Sequence, residues 1–578
     1  MPTRNQLLDA FREMGVLLEL DGANTFKSGA YSKAVRILGD ESIDIGEHVQ
    51  KHSLTSINGI GKGIAEKIEE FWSKGSIGEL EELRAKFPAG LVEMTAIPGF
   101  GAKKARAVFQ ELGVTNIEEL QRAAEDGRLA DLKGFGKKTA EKILDGIAQH
   151  RRHQGRHRID TAWQAARPIL EALRGHKAVQ RAETAGSLRR WRESAKDIDF
   201  VCATENPKDV MEFFAALEGV EAVIGRGDTK ASVRLANGIN ADLRCVAPAQ
   251  FAYALAHFTG SKEHNVRLRQ RAIERGLKLN EYGLFPEGKD VPLEAKDEAA
   301  IHDHLGLPFI APELREDMGE IEAAADNALP NLIVREDIVG LMHMHTTYSD
   351  GQPAVEDYAA WAHRNGIAWM GIADHSQSAV YAGGLKPEAV RAQWREIDEV
   401  NKRWEKKGVR LLKGIESDIL VDGSLDYDDE LLGGFEFVVA SVHSRFNLSE
   451  DEQTRRVIAA VEHPRTTILG HMTGRLILRR DGFALRQKDV IKACAAAGTV
   501  IEINANPHRL DLDWRLVHYA IDQGCLLSIG PDAHAIAGLD DVRYGLGAAR
   551  KGWATKDDIV NCWSADKFIA YARDKKKR

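Results

Sequence analysis

Nine side chains in the C-terminal half have the types and spacing of metal ligands: His343 and His345 (HMH), Asp350 (YSDG), His375 (ADHS), Glu416 (KGIESD), His443 (ASVH), His471 (LGHM), and Asp532 with His534 (PDAH). In an extended strand, residues two apart face the same way, so HxH and DxH each turn both donors to one side. Six imidazoles and three carboxylates suit borderline ions such as zinc or manganese better than magnesium. A lone histidine at a strand end is ordinarily a packing residue; nine donors at successive strand ends are not explained that way. A second constellation is all carboxylate. Asp197 and Asp199 stand two apart in DIDFVCA, and Asp242 lies in another strand-like run, INADLRCV. Such hard oxygen donors suit magnesium, and two ions held this way activate an attacking hydroxyl and steady a leaving pyrophosphate. Gly186 and Ser187, ten residues before DID, offer backbone N–H groups and a hydroxyl to triphosphate oxygens, and Arg190 adds charge.

The elements that position these groups change along the chain. Residues 1–150 read as helices broken by short glycine loops, with GxG recurring in SINGIGKGIAEKI, IPGFGAKKARAVF and LKGFGKKTAEKIL. At such a turn the glycines let a ligand approach, and the N–H groups opening the next helix point at an anion. A phosphate contact of this kind reads the nucleic-acid backbone and not the base sequence. A single GxG is most simply a helix cap; three, each leading into a helix, make Gly59, Gly61, Gly99, Gly101, Gly134 and Gly136 candidate DNA contacts. From about 160, a helix and strand-like runs indicate a mixed α/β domain. An acidic joining segment follows. From 338, short apolar strands alternate with helical stretches, the rhythm of a parallel sheet or barrel with its chemistry at the strand C-terminal ends.

Composition is ordinary for a globular protein: 578 residues, 43% hydrophobic and 29% charged, long enough for several cores. No apolar run is long enough to span a membrane, and the charged start reads as an amphipathic helix rather than a signal peptide. Five scattered cysteines without a CxxC pair point to a reducing compartment and away from disulfides or a thiolate zinc site. The formal charge of −8 is a weak guide to nucleic-acid binding beside local basic runs such as GKKTAEK, HRRHQGRHR and LRRWR. The terminal KKKR reads as a solvated tail.

The series GS, DID, ADLR, HFTGSKEHNVRLR (257–269) and KLNEYGLF resembles the catalytic core of the family X DNA polymerases over about residues 1–320. That resemblance implies that Asp197, Asp199 and Asp242 bind magnesium or manganese, with Asp242 helping to activate the primer 3′-hydroxyl. It gives Gly186, Ser187, Arg190 and Arg158 the incoming triphosphate, Phe258 and Gly260 the sugar pocket, and Asn265 and Arg269 the minor groove. FKSGAYSKA and IAEKI resemble that family's lyase domain. Lys67 would then form a Schiff base with an abasic sugar, its proton loss eased by burial or cationic neighbours, and Lys27, Tyr31 and Lys33 would bind the 5′-phosphate. Gly63 stands where some members carry another phosphate-binding lysine. Residues 338–570 resemble the PHP (polymerase and histidinol phosphatase) domain, which implies a distorted (β/α) barrel with three ions, manganese or zinc. One would be held by His343, His345, Glu416 and Asp532; a second by Glu416, His443 and His471; the third by Asp350, His375 and His534. Leu341 and Met342 precede the first histidine where the family often has Asp-Leu.

The expected architecture is multidomain: a helical lyase-like domain at 1–88 and a helix–hairpin–helix region at 89–155, fingers- or thumb-like. An α/β nucleotidyltransferase palm at 156–320, a linker at 321–337 and a PHP-type barrel at 338–578 complete it. The expected activity is short-gap filling on gapped or nicked DNA with dNTPs, joined to a metal-dependent 3′–5′ exonuclease, in a bacterial, cytoplasmic, nucleoid-associated protein. No protein partner is indicated. Two other readings are a small-molecule phosphatase of histidinol phosphate type with a DNA-tethering N-terminus, and a structural metal module that stiffens a polymerase. The carboxylate triad and FTGSKEHN count against the first, the full ligand set against the second.

Where the polymerase family often has Tyr-Phe before TGS, this chain has His257-Phe258. An imidazole is smaller than a phenol and both donates and accepts hydrogen bonds. The expected result is detectable ribonucleotide insertion, and tighter deoxyribonucleotide selectivity in His257→Tyr. Single-nucleotide gap filling with matched dNTP and rNTP checks this; equal selectivity ratios in the two proteins would assign sugar discrimination to the backbone.

Overall fold

The computed structural model describes residues 4–575 apart from 24, 40–42 and 58. One compact unit lies within Met1–Gln154, and a second holds Gly155–Ile477 and Asp481–Arg578. The first is all helical. Its longer helices are α1 (Arg4–Asp21), α2 (Thr25–Leu38), α3 (Lys62–Lys74), α4 (Gly78–Lys86), α5 (Ala102–Leu112), α6 (Ile117–Glu125) and α7 (Gly136–His153). Leu7, Phe11, Met14 and Leu18 recur at helical spacing along one face of α1 and are all buried, so α1 forms one wall of this core.

The second unit opens with α8 (Ile159–Gly175), which covers a five-stranded mixed sheet. Its strands are β1 (Arg181–Thr184), β2 (Asp197–Ala203), β3 (Val220–Arg226), β4 (Lys230–Leu235) and β5 (Asn240–Val246). Their spatial order is β1-β2-β5-β4-β3, with β2 and β5 parallel and the other pairs antiparallel. Helices α9 (Phe251–Thr259) and α10 (Lys262–Glu274) follow. Ser261 caps α10 by accepting from His264 N. The segment expected as a linker carries a helix, Glu320–Ala325, whose Ile321 and Ala324 are buried; Glu320 receives a hydrogen bond from His264, and both side chains are 1% exposed.

Seven parallel strands then follow in sequence order: β6 (Gly340–Met344), β7 (Trp369–Ile372), β8 (Arg410–Asp418), β9 (Phe437–Ser441), β10 (Ile468–Leu469), β11 (Val500–Asn504) and β12 (Leu527–Gly530). Every residue of β6, β7, β9, β11 and β12 is buried, as parallel strands covered on both faces require. The sheet curls until its first and last strands meet. At the C-terminal end, His345 N donates to Ala533 O, and the Tyr358 hydroxyl donates to His345 O and reaches Ala533 O. At the other end Asn561 spans the seam: Nδ2 donates to Gly340 O and Ile529 O at 2.9 Å each, and Oδ1 accepts from Ile529 N at 2.7 Å. Of the barrel's outer helices, α11 (Trp514–Asp522) and α12 (Val542–Lys551) face the five-stranded sheet. Leu510 and Tyr544 of the barrel belong to that sheet's core, and Trp191 packs against Gly547.

Among the described residues no helix is long and apolar enough to cross a membrane. One terminal expectation is corrected. Lys575 is not solvated: it is 5% exposed, and its ammonium donates to the carbonyls of Val461, His463 and Thr466, which terminate the helix Glu450–Glu462 and the turn after it. Residues 576–578 of the same basic run, Met1–Thr3 of the segment expected as an amphipathic helix, and the side chains of Arg152 and His153 lie outside the described residues.

Asn561→Ala removes three buried hydrogen bonds at the barrel seam and leaves their backbone partners unsatisfied. The expected loss is about 2–4 kcal/mol of unfolding free energy, read from urea denaturation; a shift below about 0.5 kcal/mol would mean that the seam closes without this side chain.

Candidate active sites

The register of β2 and β5 sets the first site: Asp199 lies directly opposite Asp242, and Asp197 opposite Asn240, two residues earlier on each strand. Alternation then turns Asp197, Asp199 and Asp242 to one side of the sheet. Burial, followed by the charges of Asp197 and Asp242, pushes Asp199 up to about 7. Three hard oxygen donors repelling one another in this way fit a divalent cation. On β4, Lys230 sets its ammonium 2.6 Å from Asp242, a neighbour not legible in the sequence. Gly186 has φ +58, and a Cβ on it would lie 2.0 Å from Asp199 Oδ2, so only glycine fits beside this carboxylate. The next backbone contact, Ala185 N to Asp199 O at 2.8 Å, fixes the Gly186-Ser187 turn against the triad.

The residues expected around a nucleotide fall into two kinds. Arg190 is tied down, Nε donating to Glu316 at 2.9 Å and Nη1 to Thr259 O at 2.7 Å. Arg158 makes a two-pronged pair with Asp160, at 3.1 and 2.8 Å. Phe258 carries Arg244 over its ring at 4.6 Å and His257 edge-on at 5.0 Å. Asn265 Nδ2 donates to His257 O at 2.7 Å and more weakly to Gly260 O, and a Cβ at Gly260 would strike Asn265. Gly260 and Asn265 therefore brace each other at the start of α10. Arg269, two turns into α10, is partly exposed.

The second site lies at the C-terminal mouth of the barrel. His343 is on β6 and His345 just past it; His375 follows β7; Glu416 is on β8; His443, His471 and Asp532 follow β9, β10 and β12. Asp350 and His534 come from the loops beyond. Three groups of donors lie close enough to hold an ion: His345, Asp350, His375 and His534; His343, His345 and Asp532; and His375, Glu416 and His443. His471 Nε2 lies 3.0 Å from Glu416 Oε1. All nine expected ligands thus converge, but the partition differs from expectation, with His345 and His375 each shared between two groups. His343 and Asp532 hold left-handed backbone, φ +68 and +50, which costs non-glycine residues energy and is sustained by the packing around them.

The electrostatics of this cluster fit cations. His375 Nδ1 lies 2.9 Å from Glu416 Oε2, yet neither buried atom has a hydrogen-bond partner; the same holds for His343 Nε2, both ring nitrogens of His345, and His471 Nδ1. Lone pairs that converge without a proton between them suit a metal. Burial alone would keep His443 neutral, but Glu416 and the hydrogen bond to Asp418 push it up to about 10. Burial and the neighbouring His534 and His375 push His345 down to about 3. Despite burial, His443 and His343 hold Glu416 well below the carboxylate range, and His343 does the same to Asp532.

Sequence reasoning missed a supporting layer. Glu502 on β11 is 1% exposed and accepts from His343 Nδ1 and, at 2.9 Å, from His471 N. Asp418 accepts from His443 Nδ1 in the same way. Both fix the imidazole so that Nε2 faces the cluster. Asp418 had a readable signal, since it shares a strand face with Glu416; Glu502 had none beyond its place at a strand end. Arg509 Nε, 3.5 Å from Asp532, is a cation at the rim.

In the helical unit, Gly59 and Gly99 hold left-handed backbone and Gly61 and Gly101 cap α3 and α5. Gly61 and Gly101 have ordinary φ, and a Cβ on either would meet nothing within 4 Å. Folding does not demand glycine at these two positions, and the open space beside them leaves room for an outside ligand. The third loop departs, since Gly136 (φ +63) opens α7 itself, after the left-handed Gly134. Lys67 lies 3.2 Å from Glu79 and 3.7 Å from Glu70, and a second cation, Lys27, shares Glu79 at 2.7 Å. Tyr31 is 4% exposed and packs edge-on against Phe11, and burial followed by the nearby Glu79 and Glu70 pushes its hydroxyl up to about 12. Lys33 is exposed beside Gly59.

Four family models match: a helix-hairpin-helix domain at 2–77, a SAM-like helix-hairpin-helix tandem at 51–113 and 91–149, the DNA polymerase beta thumb at 254–316, and the PHP domain at 342–506. The chain is 38% identical over 572 residues, 99% of each chain, to the DNA polymerase/3′-5′ exonuclease PolX of Bacillus subtilis (strain 168). It is 22% identical over half its length, and 52% of the relative, to DNA polymerase lambda of Rattus norvegicus. A probable phosphatase of Syntrophotalea carbinolica (strain DSM 2380 / NBRC 103641 / GraBd1) is 25% identical over 38% of this chain and 90% of the relative.

The barrel cluster gives a pH dependence. His443 is raised from 6.5 to about 10, so the stabilisation from its charged form is complete below about 6.5 and is lost as pH rises through 10. Chelator-treated protein is expected to lose melting temperature between pH 7 and 10, with a smaller loss when manganese-loaded or in His443→Asn. A melting temperature of the chelated protein that stays flat over this window would refute the assignment.

Proposed function

The chain belongs to the family X DNA polymerases that carry a C-terminal PHP domain, and we propose that its two metal sites divide one repair task, the palm extending a 3′ end and the barrel trimming it. It is a DNA polymerase with a metal-dependent 3′–5′ exonuclease, and both activities imply divalent ions. The observation that carries the division of labour is the pairing, within one compact unit, of an all-carboxylate site beside a Gly-Ser turn with an imidazole-rich site at a barrel mouth.

In the palm, Asp197, Asp199 and Asp242 would hold magnesium or manganese, with Asp242 nearest the primer 3′-hydroxyl. Gly186, Ser187 and Arg190 would orient the triphosphate, with Arg158 at its edge once released from Asp160. Phe258 and Gly260 would line the sugar, and Asn265 and Arg269 would read the minor groove of the nascent pair. At the barrel mouth, the nine donors would hold manganese or zinc, three ions by ligand count, while Glu502 and Asp418 keep the imidazoles aimed. Divalent cations in these places supply the charge that eases deprotonation of an attacking hydroxyl or water and offsets charge on the phosphoryl group. The glycine loops of α3 and α5 would grip DNA backbone without regard to sequence. Substrates would be gapped or nicked DNA and dNTPs, in a cytoplasmic, nucleoid-associated setting. A lyase step at Lys67 would require the substrate to displace Glu79. The phosphatase alternative accounts for the barrel alone and leaves the carboxylate triad without a task.

The two sites use different ligands, so their losses are expected to be independent. Asp197→Ala with Asp199→Ala should lower nucleotide addition more than about a hundredfold and spare the nuclease; His343→Ala with His345→Ala should do the reverse. A labelled primer on gapped DNA, with and without dNTPs, in magnesium and in manganese, reads both. Loss of nuclease in the folded first variant would sink the assignment of two centres.

A further inference from the structure

The barrel's contribution to the palm centres on one side chain. Lys551, the last residue of α12, is 1% exposed. Its ammonium donates to Arg190 O at 3.0 Å, to Glu313 O at 3.3 Å and to Glu316 Oε1 at 2.5 Å, and it lies 4.4 Å from the centre of the Trp514 ring. Glu316 Oε1 also accepts from Arg190 Nε, and Oε2 from Arg192 Nη1 at 3.3 Å. Arg190 is therefore held twice by the same lysine: directly at its backbone carbonyl, and through Glu316 at its guanidinium. The remaining fixed prong, Nη1 to Thr259 O, ties the same arginine to the end of α9, next to Gly260.

This contact is built rather than incidental. Burying an ammonium is costly unless its donors are satisfied, and Lys551 finds three acceptors and an aromatic face. Its neighbour Arg550 repeats the link, with Nε donating to Glu313 at 2.7 Å and Nη1 to Ile333 O at 2.7 Å. On the adjacent barrel helix, Arg515 and Trp514 Nε1 both bond Glu193, three residues beyond Arg190. The loop after Gly186-Ser187 is thus fastened along its length to α11 and α12, and α12 lies on the chain segment just after Asp532 and His534.

We propose that Lys551 of the barrel is a positioning residue of the polymerase site, setting the Arg190 guanidinium for the triphosphate of the incoming nucleotide. This rests on the reading of Arg190 as a triphosphate contact. Without the ammonium, Arg190 O and Glu313 O lose a donor, Glu316 keeps a buried charge with one cation fewer, and Arg190 is drawn onto that carboxylate and away from the nucleotide.

The test uses the full chain and steady-state single-nucleotide gap filling, with exonuclease on a single-stranded 3′ end measured in the same preparations. Lys551→Met should raise KM for dNTP about tenfold with kcat within about twofold and exonuclease unchanged, and Lys551→Arg, which can donate to the same acceptors, should restore most of the affinity. Unchanged KM in Lys551→Met, beside a raised KM in Arg190→Gln, overturns the inference. So does a parallel fall of both activities with KM unaltered, which would mark Lys551 as a stability residue. If Lys551→Met does not fold, Glu316→Gln decides: a shifted KM with intact exonuclease supports the linkage, and an unshifted one overturns it. Unchanged KM in Arg190→Gln overturns the triphosphate reading, and the inference with it.

Discussion

A carboxylate taken out of water costs several kcal/mol unless charge or hydrogen bonds compensate it. Glu416 is 1% exposed at the centre of the barrel mouth, where His343, His375, His443 and His471 approach it from different strand ends at 2.9–3.3 Å, and the charges of His443 and His343 offset its burial. Much else in this half follows from that one buried anion. The seven strands must be parallel and in sequence order for their C-terminal ends to meet around it. The seam between β6 and β12 must close for His343, His345 and Asp532 to lie side by side. Left-handed backbone at His343 and Asp532 is tolerated because it aims those donors inward. Glu502 and Asp418 then fix the ring orientations from behind.

The palm solves a related problem with cheaper means. Its triad sits on two neighbouring strands whose register alone sets Asp199 against Asp242. No closed barrel is needed, only a parallel pair and a glycine small enough to lie against a carboxylate. What the palm lacks is a rigid support for its basic loop, residues 186–193, and that support comes from α11 and α12. Glu193, half-buried yet held down at about 2 by Arg515 and Arg192, and Glu316, held low by Lys551 and the two arginines, are the charges through which the sheet and the barrel are joined.

Much of the site was legible in the sequence because strand periodicity is short. Asp197 with Asp199, and His343 with His345, could each be assigned to one face from spacing alone, and the barrel's candidate donors stood out by recurring at the ends of apolar runs. The helical first unit was legible from its three glycine loops. What escaped were groups whose partners are remote. Lys551 and Arg190 are 361 residues apart, and a lysine ending a helix reads as solvated. Lys575 was misread for the same reason, since nothing local says that a carbonyl cluster waits for it. Tyr31 was assigned a phosphate by resemblance, while its burial against Phe11 depends on how α1 and α2 pack. Lys67 was expected to be buried or beside cations, and the pairing of it with Glu70 and Glu79 could not be read from spacing.

The joint between palm and barrel also bears on how such a gene can change. Trp191, Leu510 and Tyr544 are shared between the two halves' cores, and Glu193 with Arg515 and Glu316 with Lys551 are ion pairs that cross between them. A frameshift or deletion that removed either half would expose an apolar face and leave buried-type ions stranded. Loss of the nuclease by lineage is therefore easier through erosion of individual ligands, with the barrel kept as an inert buttress, than through excision of the domain.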